Sequence, residues 1–358
     1  MDEHQKEWIR LPKPTLATVA LEAGVSTATV SRVLTGSKAT SADTARRVLA
    51  AAERLHYSGN SIAKALRQNS TGNIGMIVPS ISNPFFTSLV EQVEHHLAQA
   101  GLNLFLCDAR NQVDIEATRL RSLTAGSVDG LLVSPVDVTR SKPAMLRASG
   151  IIPVVQIDRR VGGVETDWVG LDDAHAMRLV VEHLADRGAH TVAFVTSTRG
   201  SSSAVDRLNA TRHWCAELQL SLPDDLVFDG DFSLEWGAKA AGQLLTSPHR
   251  MPDAIICSDD LIALGLAGRL AENGVRVPDD VLVAGFDDIE YASLNVPSLT
   301  TLKQPLTQIA AEAVRMLQEN IQDANRAHTH LALRGRLVVR SSTGSPHSIA
   351  PQQTRGLP

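Results

Sequence analysis

From residue 72 onward, short apolar runs alternate with amphipathic stretches, and this alternation restricts the fold more than any other feature of the chain. IGMIVP (Ile74–Pro79), LNLFLCDA, VDGLLVSP, IIPVVQID, TVAFVTS, AIICSD and VLVAGFDD read as buried strands. Ser88–Gly101, Ile115–Ala125 and Ala174–Arg187 read as helices between them. Strands alternating with helices form parallel sheets covered on both faces. One small sheet cannot hold so many strands, so two doubly wound α/β lobes are expected. Thr300–Gln304 is expected to cross between lobes, so that helix Gln308–Gln322 packs on the first. A final strand near Arg336–Val339 is expected to return to the second. Pro346 onward carries no pattern and reads as a tail.

Polar residues gather where these runs end. Ser80-Ile81-Ser82-Asn83-Pro84-Phe85-Phe86 follows the first, Asp158-Arg159 the fourth, and a Gly200–Asp206 loop with Arg207 the fifth. Ser258-Asp259-Asp260 and Asp287-Asp288 follow the last two. An Asp or Ser after a single strand is usually a helix cap. Five such clusters at one kind of strand end predict a shared polar pocket.

The N-terminal segment has a different character. The whole chain of 358 residues carries a net charge of −5, yet residues 1–69 hold ten Lys or Arg against six Asp or Glu. That segment is therefore +4 and the remainder −9. A basic head on an acidic body points to a polyanion as the head's partner. Within it, TLATVALEAGVSTATVSRVL (Thr15–Leu34) places Leu16, Val19, Ala20 and Ala23 on one helical face. Gly24 then suits a helix end and Ser26 an N-cap, and Val30, Val33 and Leu34 give a second helix its buried face. Two short helices joined by a Gly-containing turn form a helix-turn-helix. The outward face of the second carries Thr27, Ala28, Thr29, Ser31 and Arg32. Short side chains let the helix approach base edges, and Arg32 can reach guanine O6 and N7 with two bonds. A third helix follows, capped by Thr40 with Asp43 reaching back, and Val48, Leu49, Ala52 and Leu55 supply its buried stripe. Within SIAKALRQNS (Ser61 onward), Ile62–Arg67, capped by Asn60 or Ser61, reads as a helix of only about two turns, which needs a partner to stay folded.

Taken together, the Thr15–Leu34 text, SADTARRVLAAAERLHY and SIAKAL resemble the lactose/galactose repressor (LacI/GalR) family, and the match runs in order from Thr15 to about Ser342. The resemblance implies an all-α helix-turn-helix head on an α/β two-lobed body like the periplasmic sugar-binding proteins, with two parallel doubly wound sheets. It implies a tail at 1–14, a head at 15–60, a hinge helix and linker at 61–71, an effector and dimerisation domain at 72–345 and a tail at 346–358. Within the body it implies lobe one at about 72–170 and 301–328, and lobe two at about 171–300 and 329–345. DNA contacts then fall on Thr15, Ser26, Thr27, Ala28, Thr29, Ser31, Arg32, Ser61, Ala63, Lys64, Leu66 and Arg67. Leu66 corresponds to a leucine that wedges into the central minor-groove step.

In the body, SNPFF, DR, SDDLIALG, GFD and TLKQP carry the resemblance. It implies effector contacts from Asn83, Phe85, Phe86, Asp158, Arg159, Arg207, Phe232, Asp259, Asp287 and Gln304. Phe85 and Phe232 would flank a sugar, while Asp, Asn, Arg and Gln share its hydroxyls. Asp259 stands where the family often has Asn, Ser201–Ser203 replace bulkier or charged residues of some purine-sensing relatives, and Ala176 replaces a common Gly. The expected molecule is a cytoplasmic homodimeric transcriptional repressor on palindromic operator DNA. Its effector is read as a pentose such as ribose or a ribose-containing nucleoside, the alternative being a purine or another sugar. No cofactor, metal or membrane partner is expected.

A sugar-handling enzyme is the competing class. No G-x-G-x-x-G follows a strand, and G-x-x-x-x-G-K-[ST], G-x-S-x-G and HExxH do not occur. Cys107, Cys215 and Cys257 form no CxxC pair, which fits a reducing compartment. Met1–Arg10 lacks the apolar core of a secretory signal.

Arg32→Ala is expected to cost roughly 1–3 kcal/mol of discrimination at one base position. A panel of single-base operator variants checks this. Uniform weakening across the panel would make Arg32 a phosphate contact instead.

Overall fold

A computed structural model of the chain describes residues 14–35, 40–55, 57, 70–198, 200–247, 251–294 and 297–344. The chain divides into two compact units, Met1–Gly72 and Asn73–Pro358.

The first unit contains α1 (Leu16–Ala23), α2 (Thr27–Thr35) and α3 (Ala42–Arg54). Thr15 and Thr18 close a capping box on α1, and Gly24 ends it in the left-handed region at φ 64°. Val19, Ala20, Ala23, Val30, Val48, Ala51 and Ala52 form the core. Ser41, not Thr40, caps α3 by accepting from the Thr44 N–H, and Asp43 pairs with Arg46. Leu34 and Leu49 are exposed rather than core. Each follows a valine that faces inward, and consecutive helical residues point about 100° apart.

In the second unit, one sheet runs β2-β1-β3-β4-β5-β11, all parallel. It comprises β1 (Asn73–Val78), β2 (Asn103–Asp108), β3 (Gly130–Val133), β4 (Val154–Ile157), β5 (Asp167–Leu171) and β11 (His330–Leu333). The other sheet runs β7-β6-β8-β9-β10-β12, with only β12 antiparallel. Its strands are β6 (Val192–Ser197), β7 (Val227–Gly230), β8 (Ala254–Cys257), β9 (Leu282–Asp287), β10 (Thr300–Lys303) and β12 (Arg336–Val338). Both sheets reverse strand order at their first strand, which opens a crevice at the carboxyl ends of β1 and β3 in one lobe and of β6 and β8 in the other.

Two boundaries differ from the sequence-based expectation. Thr300–Lys303 lies in the second sheet beside β9, so the chain crosses after it, and helix α12 (Leu306–Gln322) packs on the first lobe. His330–Leu333 lies in the first sheet beside β5, so the return to the second lobe begins only near Arg336. The cause is Asp167, fully buried at the start of β5. It accepts from Asn320 Nδ2 at 2.7 Å, from Arg326 Nη2 at 2.6 Å and from the Thr329 N–H, tying the incoming segment to the first sheet.

The second lobe's outer helices cross closely. A Cβ on Gly265 of α10 (Asp260–Glu272) would lie 1.9 Å from the Leu234 carbonyl of α9 (Leu234–Thr246), and one on Gly237 would lie 2.1 Å from the Ile262 carbonyl. This crossing holds the N-termini of both helices, and so Phe232 and Asp259, beside the crevice. Gly265→Ala is expected to destabilise the fold by roughly 1–3 kcal/mol through overpacking. Gly268→Ala on the same helix meets nothing within 4 Å. It should stabilise by roughly 0.5–1 kcal/mol, because alanine costs less entropy in a helix. Thermal denaturation of the pair checks the close crossing, and equal effects would contradict it.

Candidate functional site

The head presents a short polar helix face. Ser26 accepts from the Thr29 N–H at 3.2 Å and so caps α2. Thr27, Ala28 and Arg32 are exposed, Thr29 and Ser31 half-buried, and Thr15 is exposed at the start of α1. Arg32 Nε donates to the Ala28 carbonyl at 3.1 Å, which lays the side chain along its own helix. The angle between helices is fixed from α3. Arg47 donates to the Ala23 carbonyl at 2.7 and 3.2 Å and to the Gly24 carbonyl at 3.3 Å, satisfying orphan carbonyls at the end of α1. Ser61, Ala63, Lys64, Leu66 and Arg67 lie outside the described residues.

In the body, the strand ends converge as the sequence implied. Asn83, Phe85, Phe86, Asp158, Arg159, Arg207, Phe232, Asp287 and Gln304 line one narrow cavity of about 10 Å³, joined by Ser203. Asp259 lies beside it, accepting from Asn83 Nδ2 across the lobes at 3.4 Å. A wider cavity of about 230 Å³ shares Asn83, Phe86, Arg159 and Phe232, and adds Ser80, Asn111 and Glu235 among others. The two spaces thus form one cleft with a tight inner end.

Two of its carboxylates sit on strained backbone. Asp158 has φ 63° and Asp287 φ 106°, conformations that non-glycine residues adopt mainly where their surroundings enforce them. Each is held by its contacts: Asp158 accepts from Ser134 Oγ at 3.3 Å, and Asp287 from Gln304 Nε2 at 2.7 Å. Arg207 is 3% exposed. It donates to Asp173 Oδ1 at 2.9 Å and to the Ser258 carbonyl at 2.7 Å, and its guanidinium lies 3.6 Å from the Phe286 ring centre. Arg159 lies between two aromatic rings, 5.4 Å from the centre of Phe86 and 5.0 Å from that of Phe232. The aromatic slot is therefore Phe86 with Phe232. Phe85 packs edge-on against Phe86 with ring centres 5.0 Å apart. Arg159 Nε and Gln304 Oε1 are buried with no hydrogen-bond partner among the described residues.

Sequence reading missed Asp173, while Asp260 and Ser203 lay within clusters that it named but were not among the expected effector contacts. Asp173 follows β5, a strand whose first residues, Asp and Trp, hid it from an apolar-run search. Asp260 lies behind the cleft, accepting from Thr301 Oγ1 at 2.7 Å and the Ile289 N–H at 2.9 Å. Its place directly after Asp259 was the available signal.

Asp158, Asp173, Asp259 and Asp287 lie around two buried arginines, with Asp260 buried behind them, and the balance sets their charge states. Burial raises Asp158, against the pull of Arg159 and Arg207. Burial raises Asp173 and Asp259 to about 6, the arginines again opposing, and Asp260 to about 8. Asp287 rises well above the usual carboxylate range through burial, outweighing Arg207. Burial alone would lower Arg207, but Asp173, Asp287 and Asp158 together keep it above its ordinary value. Arg159 is lowered, mainly by burial.

These shifts carry a stability cost that grows with pH. Asp259 in the folded state titrates near 6 rather than 3.8, so its penalty is absent below about pH 4 and complete above 6. Asn can keep the N-cap that Asp259 makes to the Ile262 N–H at 2.8 Å. Asp259→Asn is therefore expected to stabilise the protein by roughly 1–3 kcal/mol at pH 7.5 and not at pH 4. Thermal unfolding at both values checks this. A variant less stable at pH 7.5 would show that the charge of Asp259 holds the arginines in place.

Among the described residues no group of His, Cys, Asp or Glu could hold a metal ion, and no helix is long and apolar enough to cross a membrane. Residues 15–60 match the family model for bacterial regulatory proteins of the lacI family, and residues 181–343 match that for a periplasmic binding protein-like domain. An HTH-type transcriptional repressor PurR of Photobacterium profundum is 32% identical over 328 residues, covering 92% of this chain and 98% of the relative. The lac repressor dimer bound to operator and the anti-inducer ONPF superposes with a TM-score of 0.83 at 28% identity, covering 93% of this chain and 99% of that one. The transcriptional regulator CelR in complex with cellobiose gives 0.70 at 29% identity, covering 92% of this chain and 99% of that one. Matched through both head and body, this chain belongs to the LacI family and is a DNA-binding transcriptional repressor.

Proposed function

We propose that the repressor's operator affinity is set by a small uncharged effector bound in the cleft, and that this effector carries a purine ring rather than being a free pentose. The observation that carries this reading is the slot between Phe86 and Phe232. It is occupied by the flat guanidinium of Arg159, and the same two ring faces suit a planar heterocycle. Arg159 Nε offers a donor and Gln304 Oε1 an acceptor, the mixed pattern that a purine edge satisfies. The reading fits relatives that bear the name PurR. A sugar is the second reading, favoured by the carboxylates of Asp158, Asp259 and Asp287 at the cleft wall, which suit hydroxyl donors. Titration calorimetry and thermal shift with hypoxanthine, guanine, inosine and ribose separate the two. A saturating purine should raise stability by about 3–4 kcal/mol at 100 to 1,000 times its Kd, and ribose should not. A response to ribose alone would reverse the assignment.

The reading also includes a homodimer, which lets two heads meet a two-fold operator. The edge strand β2 exposes Phe105 (46%) and Leu106 (43%), and exposed apolar edge strands are normally covered. Phe105→Glu is expected to shift the protein toward monomer in sedimentation and to weaken operator binding in parallel. An unchanged dimer would place the interface elsewhere.

A further inference from the structure

Beside the cleft, and outside its lining, the two lobes touch through a second set of residues. Arg160 follows Arg159 on the first lobe. Its Nη2 donates to Asp206 Oδ2 at 2.8 Å, and its backbone N–H donates to Ser202 Oγ at 3.0 Å. Both partners belong to α8 (Ser202–Glu217) of the second lobe, the helix that also carries Arg207. The guanidinium lies 4.4 Å from the ring centre of Trp168, whose indole N–H donates to the Asp158 carbonyl at 3.0 Å. Stacking on a fixed indole pre-orients the guanidinium, so less side-chain entropy is lost when it meets Asp206. A further bridge runs between backbones, from the Val138 N–H to the Gly200 carbonyl at 2.8 Å.

We propose that Arg160 is a positioning residue for lobe closure: with Asp206, Ser202 and Trp168 it forms a clasp that sets how readily the effector acts, without touching the effector. Neither Arg160 nor Asp206 lines the cleft. The clasp exists only when the lobes are together, so it shifts the balance between open and closed bodies, and an effector that favours one of them then acts at a correspondingly different concentration. Its ion pair is about one-third exposed on both sides, at 37% and 33%. Added salt therefore weakens it, as it does any partly solvated pair. The consequence for effector response rests on the proposed effector site, whereas the clasp itself is tested without effector.

The experiment uses the full-length protein with Cys107→Ser, spin-labelled at Gln99→Cys on the first lobe and Glu217→Cys on the second, both exposed positions. Double electron–electron resonance reads the distance distribution between lobes. Arg160→Ala is expected to raise the long-distance population about two- to fivefold over the unsubstituted residue. Asp206→Asn, which keeps the size of the side chain, should do the same. Exchanging the charges, Arg160→Asp with Asp206→Arg, should bring back the short distance that either single reversal loses. Raising salt from 0.05 to 0.5 M should move only the protein with an intact pair. Distributions unchanged in Arg160→Ala and Asp206→Asn would overturn the proposal, as would a charge exchange no better than its single reversals. If calorimetry finds that neither hypoxanthine nor ribose binds, the effector reading fails while these distances still decide the clasp.

Discussion

The cleft is organised around a guanidinium that is almost wholly buried. Arg207 keeps its charge under all folding conditions, so its burial obliges the surrounding chain to supply acceptors. Asp173 and the Ser258 carbonyl meet it directly, and Asp158 and Asp287 contribute at longer range. These groups come from the ends of three strands, β4, β8 and β9, and from the start of the helix after β5 (Asp173–Asp186). One buried cation thereby gathers at the cleft polar groups from elements that are far apart in sequence. The cost is an excess of carboxylates, several of which titrate well above their ordinary range.

That cost has a functional side. A pocket in which Arg159 Nε has only a 3.9 Å ion pair to Asp158 and Gln304 Oε1 has no hydrogen-bond partner among the described residues leaves polar capacity that the proposed effector would use. Only a difference in the effector's affinity for two states can move the body between them. Asp158 and Asp287 both hold positive-φ backbone at the cleft wall. The head is simpler. Its core is small, and Arg47 ties two of its helices together through orphan carbonyls, leaving a face of short side chains on α2.

Much of this was legible in the sequence, for a physical reason. Doubly wound sheets place the polar groups of their crevice soon after apolar runs, so the cleft residues Asn83, Asp158, Arg159, Asp259 and Asp287 are marked by position in the sequence itself. The helix-turn-helix was legible through Gly24 and Ser26. What stayed hidden lacked a strong hydrophobic period. The helix Ser202–Glu217 buries Ala204, Leu208, Thr211 and Cys215, a face with one large apolar side chain. Strand β5 begins with Asp and Trp, and Asp167 anchors a segment some 160 residues away, which no local pattern reveals. Nothing local sets Arg160 apart from Arg159, and only its neighbours in space, Asp206, Ser202 and Trp168, distinguish it.

The coupling between cleft and operator is the centre of the account, and operator titration of the full-length protein with and without effector measures it directly. The comparison is between the wild type and Arg207→Ala, each at saturating purine base and at none. The expected result is that Arg207→Ala binds operator in the absence of effector about as the wild type does, while the effector no longer changes its affinity. A folded Arg207→Ala protein that still responds at the wild-type effector concentration would contradict the account. So would one that has lost operator binding altogether, because Arg207 would then serve the assembly of the repressor rather than its response.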